Sequence, residues 1–473
     1  MPRLLRALTF FLLATVLAAG AVQPATLARA DHPFAALDPA TYAAPAQARP
    51  SPIVRQAFDL LMDRFVVPPS SDTLLNAGLD GAERFFAAKG LGHALAARPE
   101  WTGDRGSDWQ LFLGAYDTLA QKAEGAIPLV DLDRVIVSGM AESFREAHTH
   151  YLPPDVHRMM QEQLRDRVQY TGIGIQLNSE RVVTDVFEDG PADRAGMRRG
   201  DEIVAVDGVG LEASNPQETS VKLRGDEGTS VRLGIRRGEG TPPIELSLTR
   251  APVSIAWVRA RILDGNVGYL QIRTFPIPDS QVLPLFRQAM QRFKDVGVGA
   301  IVIDVRGNSG GSVTTGESIL SEFLPDNTAV YRQVSRRGTE RVGTTWGGNG
   351  TGRDMPIAVL ADSASGSMSE ILASALQENA GAKVFGTKTA GAVAASNVFP
   401  LTDGSGLSVT ILTITTGKGR VLNEIGLEPD SVVELDAEQL RRGRDNQLDA
   451  ALSYVRQEVS ARSTGEPAPA AAR

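Results

Sequence analysis

The stretch Ala300-Ile301-Val302-Ile303-Asp304-Val305-Arg306-Gly307-Asn308-Ser309-Gly310-Gly311 decides how the rest of the chain is read. It opens on an unbroken apolar run and ends in a glycine-rich loop. A strand that is apolar at every position, rather than at every second one, is covered on both faces, which is the pattern of a sheet lying between helices. The surroundings agree. Val267–Ile272 reads as a strand and 281–293 as a helix before it. A helix near 315–323, a strand at Ile357–Ala361 and a helix at 369–377 come after it. This alternation predicts an α/β layer.

Outward from that core the texture changes twice. Around residue 170 it becomes short β-branched runs broken by glycine: Val182-Val183-Thr184-Asp185-Val186, Ile203-Val204-Ala205-Val206 and Val231-Arg232-Leu233-Gly234-Ile235 read as strands, with turns at Asp189-Gly190 and Asp207-Gly208. Further upstream, 53–143 is helical, with Phe58, Leu61, Met62 and Phe65 at one helical spacing and Leu111, Leu113, Tyr116 and Leu119 at another. The chain has 473 residues, more than one core can fill. The expected division is a helical region at 53–165, a β domain at 166–253, an α/β core at 254–436, and a C-terminal helix with a disordered Ala/Pro-rich tail at 437–473. Residues 31–52 read as a poorly ordered lead-in.

Composition narrows the function classes. Net charge is −8, which argues against nucleic acid as the main partner, since phosphate binding needs clustered Lys and Arg. There is no cysteine, which removes disulfides, thiolate nucleophiles and Cys-ligated zinc. His148, His150 and His157 invite a zinc reading, but no His-Glu-x-x-His occurs, so neither a metal nor another cofactor is expected. Gly381 and Gly386 are followed by Thr387 rather than Gly-Lys, so they do not form a phosphate-cradling loop. The first residues, Met1-Pro2-Arg3-Leu4-Leu5-Arg6, are basic, 7–21 is almost wholly apolar, and Ala28-Arg29-Ala30 offers a small-x-small cleavage site. Residues 1–30 thus read as a secretory signal, with an uncleaved anchor as the alternative, and the mature protein is expected in a periplasm or outside the cell.

Tyr170-Thr171-Gly172-Ile173-Gly174-Ile175 resembles the carboxylate-binding loop of a PDZ domain. Its glycines allow successive amides of Gly172, Ile173, Gly174 and Ile175 to turn towards one anion, and the strand that follows offers an edge for an extended peptide. Gly190-Pro191-Ala192-Asp193-Arg194-Ala195-Gly196-Met197 and Arg199-Gly200-Asp201-Glu202-Ile203 continue the likeness. Downstream, five ordered motifs resemble the carboxyl-terminal processing peptidases: Glu146-Ala147-His148-Thr149-His150-Tyr151-Leu152, Val267-Gly268-Tyr269-Leu270, the quoted strand with its Gly-Gly loop, Ser365-Gly366-Ser367-Met368-Ser369-Glu370-Ile371, and Gly426-Leu427-Glu428-Pro429-Asp430. The resemblance implies a multidomain α+β protein: an N-terminal helical region, a PDZ-like β domain and an α/β, crotonase/ClpP-like peptidase core. It further implies a serine endopeptidase acting on polypeptides, whose oligomeric state the sequence leaves open.

In that family the nucleophile lies three residues before the motif's glutamate, which here is Ser367. A serine between a buried strand and a helix start sits beside free amides, so Met368, with Gly310 and Gly311, is the candidate oxyanion group; plain helix capping is the competing reading. The family's base is a lysine 25 residues after the serine, and that place is Ala392, with Ser396 where a helper glutamine is usual. Alanine cannot accept a proton. Three readings follow: His148 serves as base, as in the related tricorn-type peptidases; Lys388 moves into the vacancy; or the site is a peptide binder without chemistry.

Overall fold

The computed structural model describes residues 49–464, apart from 147, 166–169, 179, 212–218, 220–221, 239, 254–256, 276–281, 339 and 349–354. The expected signal at 1–30, most of the lead-in and the tail beyond 464 lie outside the described residues. Among the described residues no helix is long and apolar enough to cross a membrane.

Four helices come first, Pro52–Arg64, Ser71–Ala88, Arg105–Ala123 and Leu129–Glu142, then β1 (His150–Leu152) and the helix Pro154–Arg165. The small β domain follows with β2 (Tyr170–Gly172), β3 (Ile175–Leu177), β4 (Val183–Val186), β5 (Glu202–Val206), β6 (Val209–Gly210), β7 (Ser230–Arg236), β8 (Ile244–Thr249) and β9 (Ala251–Val253). The core carries β10 (Val258–Leu263), β11 (Val267–Ile272), β12 (Ala300–Asp304), β13 (Ala329–Ser335), β14 (Glu340–Thr344), β15 (Ile357–Ala361), β16 (Lys383–Gly386), β17 (Ala394–Pro400), β18 (Gly406–Thr416) and β19 (Ser431–Val432).

The quoted strand, β12, lies inside a six-stranded sheet of order β10-β11-β12-β15-β16-β19, parallel from β11 onward. Its alternate residues serve different cores. Ile301 and Ile303 pack with the helices Val282–Val296, Val313–Phe323 and Met368–Ala380, whereas Ala300 and Val302 join Ala451, Leu452 and Val455 of the helix Asn446–Thr464. Burial on both faces is why the strand is continuously apolar. It also moves a boundary: a core ending at 436 would leave one face of this sheet bare, so the C-terminal helix belongs to the core.

A second sheet, β1-β18-β13-β14 with β17 also on β18, carries the N-terminal helices. Leu401, Leu407 and Val409 share one apolar cluster with Phe58, Phe86, Phe112 and Ile136. The helical region is therefore built onto the core rather than standing beside it. On Arg105–Ala123 the inward face is Trp109, Phe112, Tyr116 and Leu119, while Leu111 is 37% exposed. Of the expected grouping, Leu113 packs half-buried against this cluster with Tyr116 and Leu119, and Leu111 alone is off phase, because spacings of three, four and three from Trp109 follow the helical period and Leu111 does not.

The β domain has its own core around Ile173, Val183, Ile203, Val231 and Leu233. It is docked by polar contacts: Asp185 pairs with Arg259 and Arg273, Arg199 with Asp445 at 3.0 Å, and Gln176 Nε2 donates to the Arg306 carbonyl at 3.2 Å.

Two helices of the bundle, Ser71–Ala88 and Leu129–Glu142, touch through glycine. A Cβ placed on Gly139 would lie 2.5 Å from the Ala77 carbonyl oxygen, and one on Gly81 would lie 2.5 Å from that of Val135. Backbone cannot yield as a side-chain end does. Gly139→Ala is therefore expected to cost about 1–3 kcal/mol despite its better helix propensity, read as a lowered midpoint in denaturant unfolding.

Candidate active site

The buried strand β15 runs into a tight turn, and the helix Met368–Ala380 leaves it. Ser367 holds the corner with φ 52° and ψ −116°, a conformation that a residue bearing a Cβ adopts only when its surroundings impose it. Those surroundings are hydrogen bonds. The Gly366 amide donates to the Asn308 carbonyl at 3.0 Å, Ser369 Oγ to the same carbonyl at 2.8 Å, and Ser365 Oγ to the Val305 carbonyl at 2.8 Å. The loop after β12 thus fastens the turn from below and leaves Ser367 half-buried.

Gly310 and Gly311 lie against this corner. A Cβ on Gly310 would come within 2.6 Å of Ser367 Cβ and 2.9 Å of the Met368 nitrogen, while one on Gly311 would stand 2.0 Å from the Phe275 carbonyl oxygen. Both positions also have positive φ, 104° and 131°. Only glycine fits. The two differ as donors. The Gly310 amide is engaged with Asn308 Oδ1 at 2.9 Å, so of the three expected oxyanion amides it is the one already occupied. Among the described residues the amides of Gly311 and Met368 make no hydrogen bond within the protein.

Glu370, three residues past the serine, is fully buried and accepts four hydrogen bonds: from the Ser367 amide at 3.0 Å, Thr389 Oγ1 at 2.5 Å, the Gly391 amide at 2.9 Å and the Ala392 amide at 2.8 Å. Burial pushes its carboxyl above the usual range, and these donors work in the opposite direction. The segment 389–392 is thereby laced to the serine turn, and Ala392 Cβ faces it, 3.7 Å from where a Cβ on Gly366 would be.

His148 is fully buried on the side where β18 separates β1 from β17. Thr410 of β18 is the common neighbour: it stands opposite Ser396 on one side, and on the other its Oγ1 donates to Glu146 Oε1 at 2.7 Å and lies 3.2 Å from Thr149 Oγ1. Glu146 Oε2 accepts from the His148 backbone amide at 2.8 Å and lies 3.4 Å from its ring Nδ1. Burial alone would raise the Glu146 carboxyl. Hydrogen bonds from His148, Thr149 and Thr410, with the charge of the imidazolium, outweigh it and hold the carboxyl at about 2. Glu424 is pushed up by burial and by the Glu146 charge.

Residues 266–433 match the model of peptidase family S41, and 182–237 match a PDZ domain. The chain is 30% identical to the carboxyl-terminal-processing protease of Synechocystis sp. over 329 residues, 67% of this chain and 76% of that one. It is 32% identical to the chloroplastic carboxyl-terminal-processing peptidase 2 of Arabidopsis thaliana over 62% of this chain and 59% of the relative. The chain belongs to this family. It is a PDZ-containing serine-type peptidase, and its fold is that of the photosystem II D1 C-terminal processing protease, with a TM-score of 0.54 and 23% identity over 82% of this chain and 96% of that one.

Within this carboxyl-terminal-processing peptidase the remaining expected residues lie apart from the serine turn. Lys388 Nζ pairs with Glu428 Oε1 at 2.5 Å, and both line a cavity of about 410 Å³ between the PDZ domain and the core, whose walls do not include Ser367. In the PDZ loop Gly172 ends β2 and Ile175 begins β3. Between them Ile173 is buried, Gly174 has φ 80°, and their carbonyls accept from Ala192 and Phe187. The amides of Ile173 and Gly174 have no acceptor among the described residues. Among those residues no group of three His, Asp or Glu side chains is arranged to hold a metal ion. Sequence reasoning overlooked Asn308 and Glu146. Asn308 follows directly in the quoted loop, and Glu146 opens the motif that carries His148, so a polar residue inside each motif was the available signal.

Gly310→Ala is expected to lower kcat roughly 10²–10³-fold with the fold retained, because the added methyl displaces the serine corner from its oxyanion donors. Steady-state kinetics beside a circular dichroism spectrum measures it.

Proposed function

We propose that Ser367 is the nucleophile, His148 the general base, and the amides of Gly311 and Met368 the oxyanion donors of an endopeptidase that cuts polypeptides held by its PDZ domain. The observation that carries this reading is Ala392. The position next to the serine turn where relatives are expected to place a lysine holds a methyl group, and the titratable side chain buried on the neighbouring β1–β18 edge is a histidine. The ion pair of Lys388 with Glu428 speaks against its use as a substitute.

In the reaction, the His148 imidazole takes the Ser367 Oγ proton as that oxygen attacks the scissile carbonyl. The resulting oxyanion is met by the two amides, and the imidazolium returns its proton to the leaving amine. Water then repeats the sequence on the acyl-enzyme and releases the second product. Residues 172–175 take the carboxylate of a polypeptide end. Residues 1–30 direct export, which places the peptidase in a periplasm or outside the cell.

Two experiments test the reading. Ser367→Ala abolishes cleavage and labelling by a fluorophosphonate probe. His148→Ala lowers kcat roughly 10²–10⁴-fold. Unchanged activity in His148→Ala overturns the histidine, and restoration of a His148→Ala variant by Ala392→Lys marks the scaffold as a lysine enzyme that has lost its base. Separately, a peptide with a free carboxyl terminus is expected to bind more tightly than its amide by about 1.5–3 kcal/mol in calorimetry, and equal affinity removes the loop as a carboxylate site.

A further inference from the structure

We infer that Glu146 is a positioning residue for the reaction: its carboxylate holds the Nδ1 edge of His148, so that Nε2 is the nitrogen that takes the serine proton. This rests on the proposed function above and adds the group that orients its base.

Glu146 lies two residues before His148, and one of its oxygens, Oε2, accepts the backbone amide of His148 at 2.8 Å and makes an ion-pair contact with the ring Nδ1 at 3.4 Å, without hydrogen-bond alignment. A single oxygen that accepts the amide and stands beside the ring limits how the imidazole sits relative to its own backbone. The other oxygen, Oε1, is tied to Thr410 of β18 at 2.7 Å, so the carboxylate is fastened to the sheet rather than to its turn alone. The Glu146 side chain is 4% exposed and that of His148 is wholly buried, which keeps water from competing for the contact. An anion at Nδ1 selects the tautomer with its proton there, which leaves the Nε2 lone pair to act as base, and it stabilises the imidazolium once formed.

The titratable groups in this corner are Glu146 on the same turn, His150 two residues on, and Glu424 on the 423–426 turn, while β18 presents the Thr410 hydroxyl. With its carboxyl held at about 2, Glu146 is ionised across the neutral range.

The test is kcat and KM for the native protein, Glu146→Gln, Glu146→Asp and His148→Ala, beside ¹⁵N spectra of the histidine-labelled proteins. Gln keeps an oxygen for the His148 amide and removes the charge. The expected result is a fall in kcat of roughly 10²–10⁴-fold with KM unchanged, and loss of the Nδ1–H preference of the His148 ring. Glu146→Asp recovers part of both. If Glu146→Gln keeps the native kcat while His148→Ala is inactive, the inference is overturned and the histidine base survives. Full activity in His148→Ala overturns both. Should Glu146→Gln not fold, ¹⁵N spectra of histidine-labelled native protein decide the matter: His148 is expected as the Nδ1–H tautomer, and the Nε2–H tautomer refutes the role of Glu146.

Discussion

The site depends on one buried carboxylate. Glu370 gathers donors from three places in the chain: the Ser367 amide, the Thr389 hydroxyl, and the amides of Gly391 and Ala392. A carboxylate removed from water must find donors inside the protein, because leaving it unpaired costs several kcal/mol. That requirement binds the serine turn to the segment 389–392. It also absorbs part of the strain of Ser367, whose positive φ would otherwise relax. The segment is held beside the serine turn, and its side chain at 392 is a methyl group.

A second constraint works from the opposite side of the turn. Arg306, in the loop after β12, is buried and pairs with Asp304 at 2.6 Å and Asp445 at 2.9 Å, and Asp445 also binds Arg199 of the PDZ domain. The guanidinium is held charged because both acids surround it, despite the burial that opposes charge. One ion network thus ties the loop that carries Asn308 and the two glycines to the start of the C-terminal helix and to the docked PDZ domain. Gln176 of β3 reaches the Arg306 carbonyl as well. Strand β3 of the PDZ domain is therefore tied to the backbone that supports the serine corner.

The two sheets divide the labour. The parallel sheet, closed by helices on both faces, supplies strand ends rigid enough to fix a strained turn. The second sheet brings residue 148 to the neighbourhood of 396 through strand pairing across more than two hundred residues, with Thr410 as the shared contact. The N-terminal helices are part of that arrangement, since their core includes Leu401, Leu407 and Val409. They hold in place the edge on which His148 lies.

The sequence by itself determined the doubly covered strand, the α/β alternation, the PDZ loop, the serine at the strand-to-helix corner and the absence of lysine at 392. Each is written in neighbouring residues: an apolar run, a glycine spacing, a motif of a few positions. What only the tertiary structure decided are relations between distant segments. They include which amide of the glycine pair is free, the partner that occupies Lys388, the helix beyond 436 that closes the core, the helices sharing apolar residues with β17 and β18, and the carboxylate that lies against His148 while bound to Thr410. Hydrogen-bond donors are shared out by geometry after the chain has folded, and burial sets the charge of a group by everything packed around it. Neither quantity is carried by local pattern, so the sequence narrows the candidates for a base to a few residues, and the surroundings of His148 and Lys388 are legible only in the fold.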